Sequence, residues 1–218
     1  MGTTSSWESW IAEEEVFSAQ NYEGSSALDS VLVREGRRAH LVLTAPHAVA
    51  QIRAGRTKLA ERGTGGLAMA LAAVSDVRAV CAVGRQSGDP AWDARNGFKN
   101  ALADLDPTPR YLIDLHGMRD SYGLDIDLGL GGAPDSRMTS LCEGLSEALR
   151  AQGLRAGVNS VFKGDRVETL TSWAQRRSMS AIQIEIAARL RPPTGAREPS
   201  MQMFRTLRDF LSMEMWLG

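Results

Sequence analysis

Apolar strand-like runs alternate with helical stretches along most of the 218 residues, and this alternation predicts an α/β domain of three αβα layers around a mixed, mostly parallel sheet. Two further observations agree with it. Val77 to Val83 is apolar except for Arg78, and reads as a buried strand. No repeat, low-complexity tract or linker interrupts the pattern, so residues 1–218 read as a single domain of ordinary size.

The elements follow in order. Ser5 to Gln20 reads as a helix, with Trp7, Trp10, Ile11 and Glu14 at helical spacings and Ser5 or Ser6 as its cap. Val31 to Val33 and Ala39 to Ala45 flank the turn Glu35 to Arg38 and predict a hairpin. Thr64 to Val74 is a helix of small residues, and Val77 to Val83 a buried strand. Asp93 to Leu105 reads as a helix stopped by Pro107 and Pro109. Tyr111 to Leu115 is a strand. Leu124 to Leu130 alternates apolar residues with Asp and Gly, the period of a strand with unlike faces. Arg137 to Gln152 is an amphipathic helix ended by Gly153. Leu154 to Val161 is a weaker strand, Glu168 to Arg177 a short helix and Ala181 to Ala187 a strand. Arg191 to Gly195 reads as a loop, and Pro199 to Leu217 as the closing helix.

Composition excludes several classes of function. A formal net charge of -1 gives no general attraction to nucleic acid or to an anionic membrane. Two cysteines, Cys81 and Cys142, make no disulfide framework and sit in apolar patterns as small hydrophobes. No apolar stretch approaches the ~18 residues of a membrane span, and the polar, acidic segment Met1 to Trp10 does not read as a signal peptide. The expectation is a cytoplasmic protein that acts on a small molecule.

Chemistry concentrates at few residues. The chain has three histidines, and two stand where apolar strands run out: Leu41 to His47 and Tyr111 to Gly117. Ligands in open α/β sheets bind beyond the carboxyl ends of strands. Each His is open to two readings, a satisfied structural residue or a metal ligand. His40, at the start of its strand, reads as structural. A catalytic zinc takes three protein ligands from His and carboxylates and keeps a position for water. Glu61, on the loop before the helix at Thr64, is one acidic partner within reach, and a solvated surface charge is the other reading. Asp114 lies two residues from His116 on the same strand face, where a carboxylate can orient an imidazole or simply bond backbone. Glu185 is the most informative residue. In Ile182 to Ala187 it shares one face with Gln183 while three isoleucines occupy the other, and a carboxylate inside a buried strand is costly unless paired or used. One face of that strand therefore looks into a polar pocket, unless an Arg pairs with it.

These stretches, taken together, resemble the N-formylglutamate amidohydrolase family within the zinc carboxypeptidase and aspartoacylase-like superfamily. The resemblance rests on Ala45-Pro-His47, Lys58 to Glu61 with Thr64 to Ala68, Gly88-Asp-Pro90 with Asp93, Asp114 to Gly117, Asn159 with Phe162 to Gly164, and Gln183 to Ile186. They occur in the family's order over about residues 40 to 190. The resemblance implies a phosphorylase/hydrolase-like fold and a Zn2+ ion held by His47, Glu61 and His116. It implies Glu185 as general acid/base and Asp114, Asn96, Gln183, Asn159 and Lys163 around the substrate or behind the ligands. One position departs from the carboxypeptidase branch, whose first His is followed by Glu three residues on: here that residue is Ala50.

The activity so implied is hydrolysis of an amide in an N-acyl amino acid, N-formylglutamate among the options, through a metal-activated water. A substrate carboxylate calls for an arginine, and Arg95 beside Asn96 is the first choice, with Arg56, Arg119, Arg166 and Arg189 as others. Gly117, Gly129, Gly131 and Gly132 allow close approach of substrate or mark turns. Two alternatives stay open: a carboxypeptidase-like or poly-glutamyl hydrolase that takes a short peptide, and a non-catalytic binding protein on the same fold.

Overall fold

A computed structural model of the chain describes residues 6–192, 196–213 and 216. Ser5, Pro193 to Gly195 in the loop after Arg191, and Glu214, Met215 and Leu217 lie outside the described residues.

Helix α1 (Ser6–Ser18) opens the chain, followed by β1 (Val31–Arg34), β2 (Arg38–Ala45), the short strands β3 (Gln51–Arg53) and β4 (Arg56–Lys58), and α2 (Thr64–Ser75). Then come β5 (Val77–Ala82), α3 (Gly97–Ala103), β6 (Tyr111–Met118), β7 (Ile126–Gly129) and α4 (Ser136–Ala151). β8 (Ala156–Val158), α5 (Leu170–Gln175), β9 (Ser180–Ala187) and α6 (Arg197–Leu211) complete the order. Seven strands form one sheet in the order β1-β5-β2-β6-β9-β7-β8. Its centre, β5-β2-β6-β9, is parallel throughout, while β1 and β7 pair antiparallel with their inner neighbours. α1, α2, α4 and α6 pack together over one face, and α3 and α5 against the other, so the α/β class and its three layers agree with the sequence. Among the described residues, no helix is long and apolar enough to cross a membrane.

The expected hairpin does not form. β5 lies between β1 and β2, so the turn at Glu35 to Arg38 reverses the chain but carries it across the start of β5, and the two strands pair with β5 and not with each other. The crossing is close: a Cβ on Gly36 would sit 2.5 Å from the backbone of Val77, and Asp76 accepts hydrogen bonds from both the backbone and the side chain of Arg37. Two apolar runs around a turn satisfy hairpin periodicity equally well when a third strand inserts between them. Boundaries also move: the closing helix, expected over Pro199 to Leu217, runs from Arg197 and ends at Leu211, and three others shift. β6 extends to Met118, so His116 sits inside the strand. β8 shrinks to three residues. α3 begins at Gly97, because Asn96 caps it by accepting from the Lys99 amide and the preceding Asp89–Asp93 segment is a turn.

α1 anchors the helical layer. Trp10 is fully buried against Phe204 of α6 and donates its indole N–H to the carbonyl of Gly63. Glu14, one turn on, is buried too and accepts from the amides of Gly63 and Gly66, at 2.7 and 2.8 Å. These amides belong to the otherwise unsatisfied first turn of α2. Truncating Trp10→Ala removes a large buried side chain and its hydrogen bond, and urea unfolding is expected to show a loss of about 3–5 kcal/mol.

Candidate metal centre and cleft

The sheet itself brings the polar residues together. In the parallel pairing of β6 with β9, His116 lies opposite Glu185 and Asp114 opposite Gln183. On the other side of β9, Asp127 of β7 is in register with Glu185. Side chains alternate across a strand, so these residues share one face, while Ile182, Ile184 and Ile186 face the opposite, apolar layer.

His47 follows β2 by two residues. Between it and Glu61 the chain loops out as a small antiparallel hairpin, β3–β4, closed by Ala54 and Gly55 at φ 50° and 71°. The hairpin returns the chain to its origin: the Glu61 amide donates to the carbonyl of His47 at 2.8 Å. Glu61 is thus brought back beside His47. Ala50 is instead drawn into the hairpin's base, where its amide donates to the Tyr22 carbonyl.

The resulting geometry is compact. Nδ1 of His47 lies 3.0 Å from Oε1 of Glu61, and Nδ1 of His116 lies 3.0 Å from its Oε2. The two imidazole centroids are 4.8 Å apart. The second nitrogen of each ring also meets a carboxylate: Nε2 of His47 is 2.9 Å from Asp89, and Nε2 of His116 is 2.8 Å from Asp114. Asp89 and Asp114 are themselves fixed. Asp89 accepts from Arg53 and from the amides of Ala91 and Trp92, and Asp114 accepts from Thr44 Oγ1 at 2.7 Å.

Charge balance in this cluster is unusual. A neutral imidazole has one N–H, yet all four ring nitrogens of His47 and His116 face carboxylate oxygens. Burial alone pulls His47 down, but Glu61 and Asp89 outweigh it and carry it up to about 9. His116 also rises, Asp114 and Glu61 overcoming its burial. Glu61 falls well below its usual range, its own burial outweighed by the two rings. The same donor set suits a divalent cation: two imidazole nitrogens and a carboxylate oxygen lie within 4.8 Å of one another, and the far nitrogen of each ring already has the buried carboxylate that fixes a ligating tautomer. His47, His116 and Glu61 would hold such a cation, which would take the place of the protons these raised imidazoles carry. The residues present fit a metal.

Glu185 stands apart. It is 8 % exposed, and its carboxylate makes no hydrogen bond with any described residue. Burial pushes its carboxyl up to about 7, with His116 opposing and Glu61 adding to the rise. It opens into a cleft of about 620 Å³ that also holds His47, Glu61, His116 and Gln183. Four cations line that cleft, Arg53, Arg119, Lys163 and Arg166, together with Trp92, Tyr122 and Phe162. Arg53 stacks over Trp92 with its guanidinium carbon 4.9 Å from the ring centroid.

The other residues that the sequence singles out fall in different places. Arg95 is exposed and outside the cleft lining, and Arg56 and Arg189 also lie outside that lining. Asn96 serves as helix cap, its amide donating to Pro90 and Asp93 carbonyls. Asn159 accepts from the Leu130 amide and shapes a loop at φ 52°. Residues to which the sequence assigns no role emerge beside them. Asp89 lies inside the quoted Gly88-Asp-Pro90 stretch, and Asp127 interrupts an apolar alternation. Asp127, fully buried, accepts from the amides of Ser160, Val161 and Phe162 and so fixes the cleft wall that carries Lys163.

No protein-family model and no curated protein sequence matches the chain. Solved structures do. N-formylglutamate amidohydrolase from Ralstonia eutropha JMP134 superposes with a TM-score of 0.58 at 14% identity, over 84% of this chain and 95% of that one. A bacteriophage poly-gamma-glutamate hydrolase gives 0.57 at 13% identity, over 87% and 90%. A gene product of Agrobacterium tumefaciens gives 0.58 at 13% identity, over 89% and 96%. At such identities the likeness is one of fold, and the fold is the one the sequence resemblance implies.

Proposed function

We propose that the chain is a zinc-dependent hydrolase of an amide bond in an N-acyl amino acid, with His47, Glu61 and His116 as metal ligands. The observation that carries this reading is the convergence of Nδ1 of His47, Nδ1 of His116 and both Glu61 oxygens, each ring backed by a buried carboxylate. Borderline-soft zinc favours such an imidazole–carboxylate set over the all-oxygen sets of calcium and magnesium. Zinc bound there supplies Lewis acidity that polarises a carbonyl and acidifies water.

The protein's own groups do the rest. Glu185, beside the ligands and unpaired, takes the proton of the attacking water and returns it to the departing amine nitrogen. The amide C–N bond breaks as the new C–O bond forms, giving a carboxylic acid and an amine. Arg119 and Arg166 lie on the cleft wall where a bidentate guanidinium can hold the substrate carboxylate. Gln183 and Lys163 line the same wall. Asp89 and Asp114 orient the two imidazoles from behind.

Metal content is to be measured in purified protein, followed by amide hydrolysis before and after chelation. A protein without metal and without chelator-sensitive turnover sinks the proposal. A panel of N-formyl, N-acetyl and γ-glutamyl substrates ranks acyl groups. The four cations of the cleft favour a second reading, cleavage within a polyanionic glutamyl chain, which is supported if γ-glutamyl oligomers are the best substrates. Asp114→Asn, which keeps shape and removes the charge behind His116, is expected to weaken zinc binding by about 10–100-fold in a chelator competition.

A further inference from the structure

Arg191 follows β9 by four residues, lies outside the cleft lining, and is 7 % exposed. Its guanidinium is spent entirely on backbone. Nε donates to the carbonyl of Ile186 at 3.1 Å, Nη2 to that of Met118 at 3.4 Å, and Nη1 to that of Arg62. These acceptors share a pattern. Arg62 is the residue after Glu61, Ile186 the residue after Glu185, and Met118 lies two beyond His116. Three segments distant in sequence, each carrying a residue of the proposed centre, thus meet on one planar group.

The space for that group is cut by missing side chains. A Cβ on Gly117 would lie 2.6 Å from Cζ of Arg191, and a Cβ on Gly63 would lie 2.7 Å from its Cβ. Gly117 adjoins His116, and its amide donates to Oε2 of Glu61 at 2.8 Å. Gly63 is held from the far side by Glu14. A buried guanidinium is costly to desolvate unless its donors are satisfied, and here each of its three nitrogens donates to a carbonyl while Glu61, Glu185 and Glu14 offset its charge.

We infer that Arg191 is a positioning residue for the metal centre: its guanidinium locks the Glu61 loop onto the ends of β6 and β9 and so fixes the spacing of Glu61, His116 and Glu185. It touches neither metal nor substrate. The inference rests on the proposed metal site. Lysine keeps the charge but not the planar fork that reaches three carbonyls, so Arg191→Lys separates geometry from charge. Gly117→Ala keeps the arginine and displaces its guanidinium.

The test is zinc affinity of the folded protein, measured by competition with a chromophoric chelator, with folding followed by circular dichroism. Both variants are expected to fold and to bind zinc at least about tenfold more weakly, the scale found when partners behind metal ligands are lost. A folded Arg191→Lys with zinc affinity within twofold of wild type overturns the inference, because a purely structural role lowers stability without moving the affinity of the folded fraction. Failure of both variants to fold also overturns it, by assigning the guanidinium to the fold as a whole. A wild type that binds no zinc removes the metal reading itself, an outcome distinct from unchanged affinity in the variants.

Discussion

Replacing Glu185 with Gln is expected to leave zinc bound at the wild-type ratio and to lower kcat by about 10²–10⁴-fold, the range of a positioned general acid/base. That loss corresponds to about 3–5 kcal/mol of transition-state stabilisation. The expectation comes from an asymmetry among the carboxylates of the centre. Asp89, Asp114 and Glu61 each have hydrogen-bond partners in the cluster, and Asp127 holds three backbone amides. Glu185 has none among the described residues, and burial raises it to about 7, against the pull of His116. A cation held by the neighbouring ligands would favour the ionised carboxylate, the form that accepts a proton in the first step. Gln preserves the volume and cannot exchange a proton. The ligand set stays intact, so a metal assay and a kinetic assay on the same sample should part company. KM is expected to change little, since the proton is transferred only as the transition state forms. Turnover within tenfold of wild type, with metal retained, would remove Glu185 from this role.

Much of that asymmetry is legible in the sequence, and the legible part has a physical basis. Glu185 stands out because a carboxylate in an otherwise isoleucine-rich strand is expensive, and the strand's period of two tells which face it shares with Gln183. Asp114 and His116 follow from the same period. Periodicity is a property of one element, however, and it is silent about neighbours. It cannot show that β5 separates β1 from β2, because strand order is decided by crossover connections and layer packing. It misses the β3–β4 hairpin, whose strands are three residues long and whose turn uses Ala54 where Asn or Asp is usual. It misses Asp89 as the partner of His47, and Arg191 as the clamp behind the ligands, because each acts through a contact between distant segments. Arg95, the first choice for the substrate carboxylate, has only its proximity in sequence to Asn96 in its favour. It is exposed outside the cleft, and Arg119 and Arg166 line the cleft instead.

The hairpin is the basis of the second large effect. Glu61→Ala is expected to abolish stable zinc binding, so that the variant loses metal on gel filtration and shows no chelator-sensitive hydrolysis. Glu61 is the one carboxylate, among the described residues, that faces both Nδ1 atoms. Its removal leaves two imidazoles, one ligand short of the usual catalytic set. It also removes an acceptor of the Gly117 amide, which loosens the strand end that carries His116. The loss should therefore exceed the 10–100-fold expected of Asp114→Asn. The double variant Ala50→Glu, Glu61→Ala separates chemistry from chain path. If spacing along the sequence were all that mattered, a glutamate three residues after His47 would restore binding. Ala50 is buried at the base of the hairpin, with its amide committed to the Tyr22 carbonyl and its side chain outside the cleft lining. A glutamate there has no path to the Nδ1 atoms without undoing β3–β4, so the double variant should remain without metal. Recovery of zinc by Ala50→Glu would mean that the hairpin is pliable and that Glu61 owes its place to composition and not to the closure of the loop by its own amide on His47.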